Sequence, residues 1–315
     1  MASSGRKVLV TGGAGFIGSH LVRALGERGD RVVVLDDLST GQRSNLPAGV
    51  EFHHAKAESI LETPGLMADV DLVYHLAAMA SVQASLDNPL ASHAACATST
   101  LAVCQAARLA CVRRVIYSGS ASAYGVPAGP VQREEDPLSP LSPYAAAKLA
   151  GEMYLQSFGA AFGLETARLR FFNVYGPRQR PDSPYSGVIA LFAKALIEGR
   201  QPTILGDGLQ TRDFVHVRDV VAALLAAGDS PAMVGQVAQV GTGKPTTLLD
   251  LVQTLGKVLG KEVRPVFGPA RAGDIRHSCA NLDQIGRLLG YRPTVSLAEG
   301  LRETLDWMRE SGKGP

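Results

Sequence analysis

Apolar residues recur along the first half of the chain in two alternating rhythms. Short β-branched and aliphatic runs at residues 7–10, 31–35, 50–53, 71–75, 114–117 and 165–170 read as strands. The run at 31–35 is continuous rather than alternating, which suits a strand buried on both faces. Between these runs the spacing changes to that of helices. Residues 17–28 place Ile17, Leu21, Val22 and Leu25 on one face, and 91–111 and 144–162 are longer, Ala-rich helical stretches. Strands separated by helices require parallel crossovers, so the pattern predicts an α/β fold with an open, doubly wound parallel sheet. After residue 172 the rhythm changes. Residues 176–187 are rich in Pro, Arg and Ser and read as a loop, 188–198 as a helix, and the remainder mixes short strands and helices, ending in a helix at 297–309. The expected division is a dinucleotide-binding domain at 1–172 and a smaller C-terminal α/β lobe at 173–315, with the chain crossing back near 212–243.

Composition narrows this little. The 315 residues are 46% hydrophobic and 19% charged, with a formal net charge of +2 and no basic block, so neither disorder nor nucleic-acid binding is implied. No apolar run is long enough for a signal-peptide core or a membrane span, which makes a cytoplasmic location the expectation. The four cysteines form no Cys-x-x-Cys pair. Cys96, Cys104 and Cys111 read as small apolar residues of a helix, and no metal site is expected.

The first strand runs into Thr11-Gly12-Gly13-Ala14-Gly15-Phe16-Ile17-Gly18 and then a helix. Gly13, Gly15 and Gly18 fit G-x-G-x-x-G, and Gly12, Gly15 and Gly18 fit G-x-x-G-x-x-G. Such spacing supplies a tight turn, a close approach of backbone to a pyrophosphate, and close packing of helix on strand. The helix N-terminus then offers free N–H groups to the phosphates. The second strand ends in Asp36, at the distance expected of an acid that accepts hydrogen bonds from the adenosine ribose. A carboxylate there repels a 2′-phosphate and favours NAD over NADP.

A second constellation follows. Tyr144 and Lys148 are four apart at the start of a helix and share one face. A neighbouring ammonium is expected to favour phenolate and bring the tyrosine toward use as a base. Ser120 comes just off the end of a strand, where ligands of open α/β sheets bind. Gly241-Thr242-Gly243-Lys244 looks like part of a phosphate loop, but Pro245 stands where Ser or Thr should follow the lysine, so it reads as a strand-to-helix turn.

In these motifs the chain resembles the extended short-chain dehydrogenase/reductase family, within it the nucleotide-sugar 4-epimerases related to UDP-glucose 4-epimerase. Further markers are Tyr74-His75-Leu76-Ala77-Ala78, residues 118–125, Arg170-Phe171-Phe172-Asn173-Val174-Tyr175-Gly176-Pro177-Arg178, Arg212-Asp213-Phe214-Val215-His216-Val217 and Arg271-Ala272-Gly273-Asp274. The resemblance implies a Rossmann-type domain that holds NAD through Gly12, Gly15, Phe16, Ile17, Gly18, Asp36, Leu76, Ala77, Ala78, Tyr144 and Lys148. It implies Tyr144 as the base at the sugar C4 hydroxyl, Ser120 assisting, and Lys148 holding the tyrosine and the nicotinamide ribose. It assigns Ser120, Ser122, Asn173, Arg178, Arg212, Arg271, Asp274 and Ser278 to a UDP-sugar substrate. It also implies a homodimer in which the helices at 91–111 and 144–162 pair with their copies.

Departures from the family pattern refine the chemistry. Family dehydratases carry Asp and Glu just after the position of Ser120; here Ala121 and Ser122 stand there, which favours epimerisation. Ser278 occupies a position that is a bulky tyrosine in some glucose/galactose-restricted relatives, so room for a 2-acetamido group is expected. Arg178-Gln179-Arg180-Pro181 resembles the loop of epimerases acting on UDP-glucuronate, where an arginine pairs with the C6 carboxylate. The acid that contacts adenine in many relatives is absent from 54–57, leaving Glu58 as its substitute or the contact unmade. Three classes stay open: a UDP-sugar 4-epimerase on hexoses or on glucuronate, a net NAD-dependent oxidoreductase of the same fold, and a non-catalytic dinucleotide-sensing module.

Overall fold

The computed structural model describes residues 5–127, 129–180, 187–270 and 275–310. From the N-terminus the chain alternates β1 (Lys7–Thr11), α1 (Phe16–Glu27), β2 (Arg31–Asp36), β3 (Glu51–His54) and β4 (Leu72–His75). Three helices follow, α2 (Val82–Asp87), α3 (Pro89–His93) and α4 (Ser99–Leu109), then β5 (Arg114–Ser120), α5 (Pro143–Phe162), β6 (Glu165–Phe171) and β7 (Asn173–Tyr175). The rest comprises α6 (Val188–Ile197), β8 (Thr203–Leu205), β9 (Thr211–His216), α7 (Val217–Asp229), β10 (Val237–Val240), β11 (Pro245–Thr247), α8 (Leu248–Leu259), β12 (Val266–Gly268), α9 (Asp283–Leu289) and α10 (Leu297–Glu310).

Seven strands form a parallel sheet in the order β10-β6-β5-β4-β1-β2-β3. The order reverses on either side of β1, where an open sheet makes its ligand crevice. Every residue of β1 is buried, because alternate side chains enter different cores. Val8 and Val10 pack with Leu21, Val22 and Leu25 of α1 and Val220 and Leu224 of α7. Leu9 packs on the other face with Val33, Val73, Val103 of α4 and Leu155 of α5. A third core, including Ile189, Phe192, Leu251, Leu255, Leu305 and Met308, fills the smaller lobe beneath the β11-β9-β7 and β12-β8 sheets. The chain returns to the large sheet through α7 and β10, and again through α9, whose Ile285 joins the core of Val8 and Val10. No helix among the described residues is long and apolar enough to cross a membrane.

Two sequence readings need correction. The helical stretch at 91–111 is not one regular helix. Asn88 caps α3 through Ala91 N–H, Pro89 takes the first helical position, and a π-turn at Ala94–Thr98 precedes α4. Cys111 lies beyond the end of that helix, exposed, with φ +53°, unlike the buried Cys96 and Cys104. The stretch at 241–244 leads first into β11 and only then into α8. The N–H groups of Thr242 and Gly243 donate to the Asp213 carboxylate at 2.7 and 2.9 Å, so they are not free to hold a phosphate.

Candidate active site

Four glycines shape the turn after β1, and their surroundings differ. Gly12 has φ +70°, and a Cβ on it would lie 2.7 Å from the Ala77 nitrogen. A Cβ on Gly13 would strike the Val34 side chain, and one on Gly18 would lie 2.1 Å from the Gly12 carbonyl oxygen. Gly15 is different. Its backbone is extended, it precedes α1 with no side-chain cap, and a Cβ would meet only the Gly12 oxygen at 3.3 Å. Conformation does not call for glycine there, and packing asks only a few tenths of an ångström of give from that oxygen. A ligand lying against the uncapped N–H groups of Phe16 and Ile17 would be a stronger reason.

Asp36 ends β2 nearly buried. Its oxygens accept from Ala14 N–H at 2.9 Å and Leu38 N–H at 2.8 Å. Burial pushes its carboxyl above the usual range, and these two bonds oppose that. Each oxygen keeps a lone pair for a ribose hydroxyl. The loop after β4 is bound to the turn: Leu76 N–H donates to the Thr11 carbonyl at 3.1 Å and Ala77 N–H to Thr11 Oγ1 at 3.3 Å. Ala78 continues into a small apolar cluster with Cys96, Ala147 and Tyr144, so the dinucleotide loop abuts the start of α5. Glu58 lies in a short 3₁₀ turn at Ala57–Glu62, 3.9 Å from the Lys56 ammonium.

His75 links these parts. Its Nδ1 is 2.7 Å from Thr11 Oγ1 and its Nε2 is 3.1 Å from Thr100 Oγ1. Thr100 spends its proton on the Cys96 carbonyl at 2.5 Å. Its oxygen must therefore accept from Nε2–H, and Nδ1 must accept from Thr11. Burial, with the Lys148 charge adding, pushes the imidazole down to about 3 and keeps it neutral.

Ser142 caps α5 through Ala145 N–H, Pro143 opens it, and Tyr144 and Lys148 follow one turn apart. Ser120 ends β5, accepts from Ser122 N–H at 3.2 Å and lies 2.8 Å from the Ser122 hydroxyl. It faces the Tyr144 phenol. The expectation of a lowered phenol is overturned for the protein alone. Burial pushes Tyr144 up to about 12, with Ser120 opposing and Cys96 adding. Lys148 is only 3% exposed, and burial lowers its ammonium from the ordinary value. That charge rests 4.4 Å from the centre of the Tyr117 ring and makes no hydrogen bond or ion pair among the described residues. An ammonium so little exposed and without a protein acceptor among the described residues is disfavoured, and ligand hydroxyls would relieve it. With the uncapped N-terminus of α1 after Gly15 and the spare acceptors of Asp36, these residues fit a bound dinucleotide.

The expected substrate positions lie across the β7–β9 seam. Asn173 is exposed at the start of β7, opposite Phe214 of β9. Arg212 Nη1 donates to the carbonyls of Thr211 at 2.8 Å and Ile275 at 2.7 Å. Ser278, half-buried, is tied to the same strand by its N–H on the Thr211 carbonyl at 3.2 Å. Arg178 has φ +69°, and its buried Nη1 has no hydrogen-bond partner among the described residues. Burial and Arg23 lower its guanidinium from the ordinary value. Arg271 and Asp274 lie outside the described residues.

Sequence reasoning passed over the polar floor of this site. Glu152, fully buried one turn past Lys148, binds Arg170 at 2.8 to 3.1 Å. Arg170 also donates to the Tyr124 hydroxyl at 2.8 Å, which Gln239 reaches at 2.6 Å. Asp213, also fully buried, gathers the N–H groups of Thr242, Gly243 and Ala280. One signal was available: Glu152 continues the i, i+4 face of Tyr144 and Lys148.

Comparison with known proteins agrees in extent as well as in fold. Residues 8–241 match the model of the NAD dependent epimerase/dehydratase family. The chain is 41% identical over 314 residues to a UDP-glucose 4-epimerase of Mycolicibacterium smegmatis, covering 98% of this chain and 100% of that one. Among solved structures it is similar to a UDP-N-acetylglucosamine 4-epimerase from Methanobrevibacter ruminantium M1 in complex with UDP-N-acetylmuramic acid, with TM-score 0.93, 34% identity and coverage of 98% and 99%. It is also similar to a UDP-glucuronic acid 4-epimerase mutant from Bacillus cereus solved with a fluorinated UDP-sugar and NAD, with TM-score 0.89, 32% identity and coverage of 97% and 99%. With a family model over most of its length and a full-length relative at that identity, this chain belongs to the NAD dependent epimerase/dehydratase family.

Proposed function

We propose that this chain is an NAD-dependent 4-epimerase of UDP-hexoses, acting on UDP-glucose/UDP-galactose and on UDP-N-acetylglucosamine/UDP-N-acetylgalactosamine. The observation that carries the reading is the grouping of Ser120, Tyr144 and the unpartnered Lys148 ammonium beside the loop that meets the Gly-rich turn. NAD, when bound, supplies a hydride acceptor and donor and a positive charge. Tyr144 removes the proton of the C4 hydroxyl, Ser120 hydrogen-bonds the same oxygen, and Lys148 favours the phenolate. The 4-keto sugar then presents its other face, and Tyr144 returns the proton. No carboxylate stands at Ala121 or Ser122 to eliminate water from the ketone. Asn173, Arg212, Arg271 and Asp274 are assigned to the diphosphate and uridine, guanidinium groups being suited to phosphate oxygens. A homodimer through α4 and α5 is part of the proposal.

The small side chain of Ser278 and the similarity to the Methanobrevibacter enzyme support an N-acetylated hexose. A second reading, UDP-glucuronate, has its own support: the Arg178 guanidinium with a nitrogen unpartnered among the described residues, near Arg180, and the similarity to the Bacillus cereus enzyme. Incubating the protein with UDP-glucose, UDP-N-acetylglucosamine and UDP-glucuronate in turn, with a trace of NAD, and reading the sugars by NMR separates them. The C4 epimer of a hexose without net NADH is expected. Turnover of the glucuronate alone would favour the arginines, and stoichiometric NADH would replace epimerisation with net oxidation.

A further inference from the structure

Lys148 is held by a residue that neither the motif nor the proposed mechanism names. Tyr117 lies on β5, fully buried, with its ring centre 4.4 Å from the Lys148 ammonium. Its hydroxyl donates to the Lys148 backbone carbonyl at 3.0 Å. One side chain thus holds both ends of the lysine. Gly151 makes this possible, because a Cβ there would lie 2.4 Å from the Tyr117 oxygen. The other groups facing the amine are committed elsewhere. Glu152 on the same helix is bound by Arg170 of β6. His75 of β4, whose ring is 5.8 Å from that of Tyr117, is neutral. The Cys96 thiol from the π-turn is kept protonated by burial. Tyr144 on the same helix is likewise held neutral. Among the described residues the π-face of Tyr117 is left as the direct contact for a charge that burial disfavours, and aromatic faces attract cations most strongly when desolvated.

We infer that Tyr117 is a positioning residue for Lys148: its ring face keeps the amine protonated and its hydroxyl fixes the turn of α5 that carries it. The catalytic consequence rests on the proposed role of Lys148. Without the ring face the ammonium loses a proton at lower pH, and turnover is lost at lower pH with it. With Tyr117→Phe the π-face remains, so the pH behaviour should be retained.

The test replaces Tyr117 by phenylalanine and then by phenylalanines of increasing fluorination, which keep the ring's shape while draining its negative face. The Lys148 side chain is titrated by NMR in selectively labelled protein, its signal identified by loss in Lys148→Met. Expected is a titration midpoint close to wild type in Tyr117→Phe, falling stepwise with fluorination by about half a pH unit or more in all. The alkaline limit of kcat should fall in parallel. Tyr117→Leu should move both in the same direction, and thermal unfolding reports whether it folds. A midpoint indifferent to fluorination would overturn the inference, as would a midpoint that moves while the alkaline limit of kcat stays fixed. If no UDP-sugar is turned over, the functional reading fails, and the titration still decides whether the ring holds the amine.

Discussion

Gly15 and Gly18 stand three residues apart and answer to different constraints. A methyl group at Gly18 would collide with the Gly12 carbonyl, which is backbone and cannot swing aside. At Gly15 the same oxygen is met at 3.3 Å, a far milder contact than the 2.1 Å at Gly18. Gly15→Ala should therefore lose much less stability than Gly18→Ala yet bind NAD at least about tenfold more weakly, a loss of about 1.4 kcal/mol. Gly18→Ala should lose both stability and binding, because overpacking costs about 1–3 kcal/mol. Thermal unfolding with and without NAD reads both, and equal damage from the two would remove the ligand as the reason for Gly15. Tyr144→Phe should leave stability near wild type and lower kcat by about 10²–10⁴, as measured by steady-state turnover. These motifs were legible in the sequence because each is local: the glycine spacing and the i, i+4 pair lie within single turns. The environment of Tyr144 was not. Spacing puts Lys148 on its face but says nothing of burial, which pushes the phenol up to about 12.

At the scale of elements, β1, β4 and α4 are joined through one neutral imidazole. His75 accepts from Thr11 and donates to Thr100, and protonating it would force Thr11 to give up its donor role. Its folded value, about 3, lies below the ordinary 6.5. A depressed value means the unfolded chain takes the proton first. Its contribution is fully present above about pH 6.5 and is lost as pH falls toward 3, with a slope of up to about 1.4 kcal/mol per pH unit for the group. His216, pushed down to about 4 by burial, acts in the same sense. Denaturant unfolding between pH 7 and 4 should show the decline, and His75→Gln should flatten it while lowering stability at pH 7. An unchanged slope would mean that other groups govern acid unfolding. Most strands and helices could be read from periodicity. The π-turn at Ala94–Thr98, the Asp213 anchor and the Tyr117 contact could not, because each depends on partners distant in sequence. Asp213 to Ala280 spans 67 residues. Breaking the buried Glu152–Arg170 pair from one side should be severe, about 3–5 kcal/mol, since it strands a charge.

Over the whole molecule, the proposed dimer face has a visible basis. Leu90, Leu101 and Leu109 along α3 and α4, and Met153 and Phe162 on α5, are exposed, Leu90 by 82%. Analytical ultracentrifugation should find a mass near twice the 33.1 kDa chain, and Leu101→Glu with Met153→Glu should reduce it to one. A monomer in the unaltered protein would remove that part of the proposal. In the proposed reaction the hydrogen at C4 leaves the sugar and returns to it within one site. The most direct measurement uses the UDP-sugar that reacts, carrying deuterium at C4, with only trace NAD, and follows the label in the product. Deuterium retained at C4 of the epimer, with no accumulation of NADH, is the expected result. Epimer formed with deuterium washed out to solvent, or no epimer without stoichiometric NAD, would contradict it.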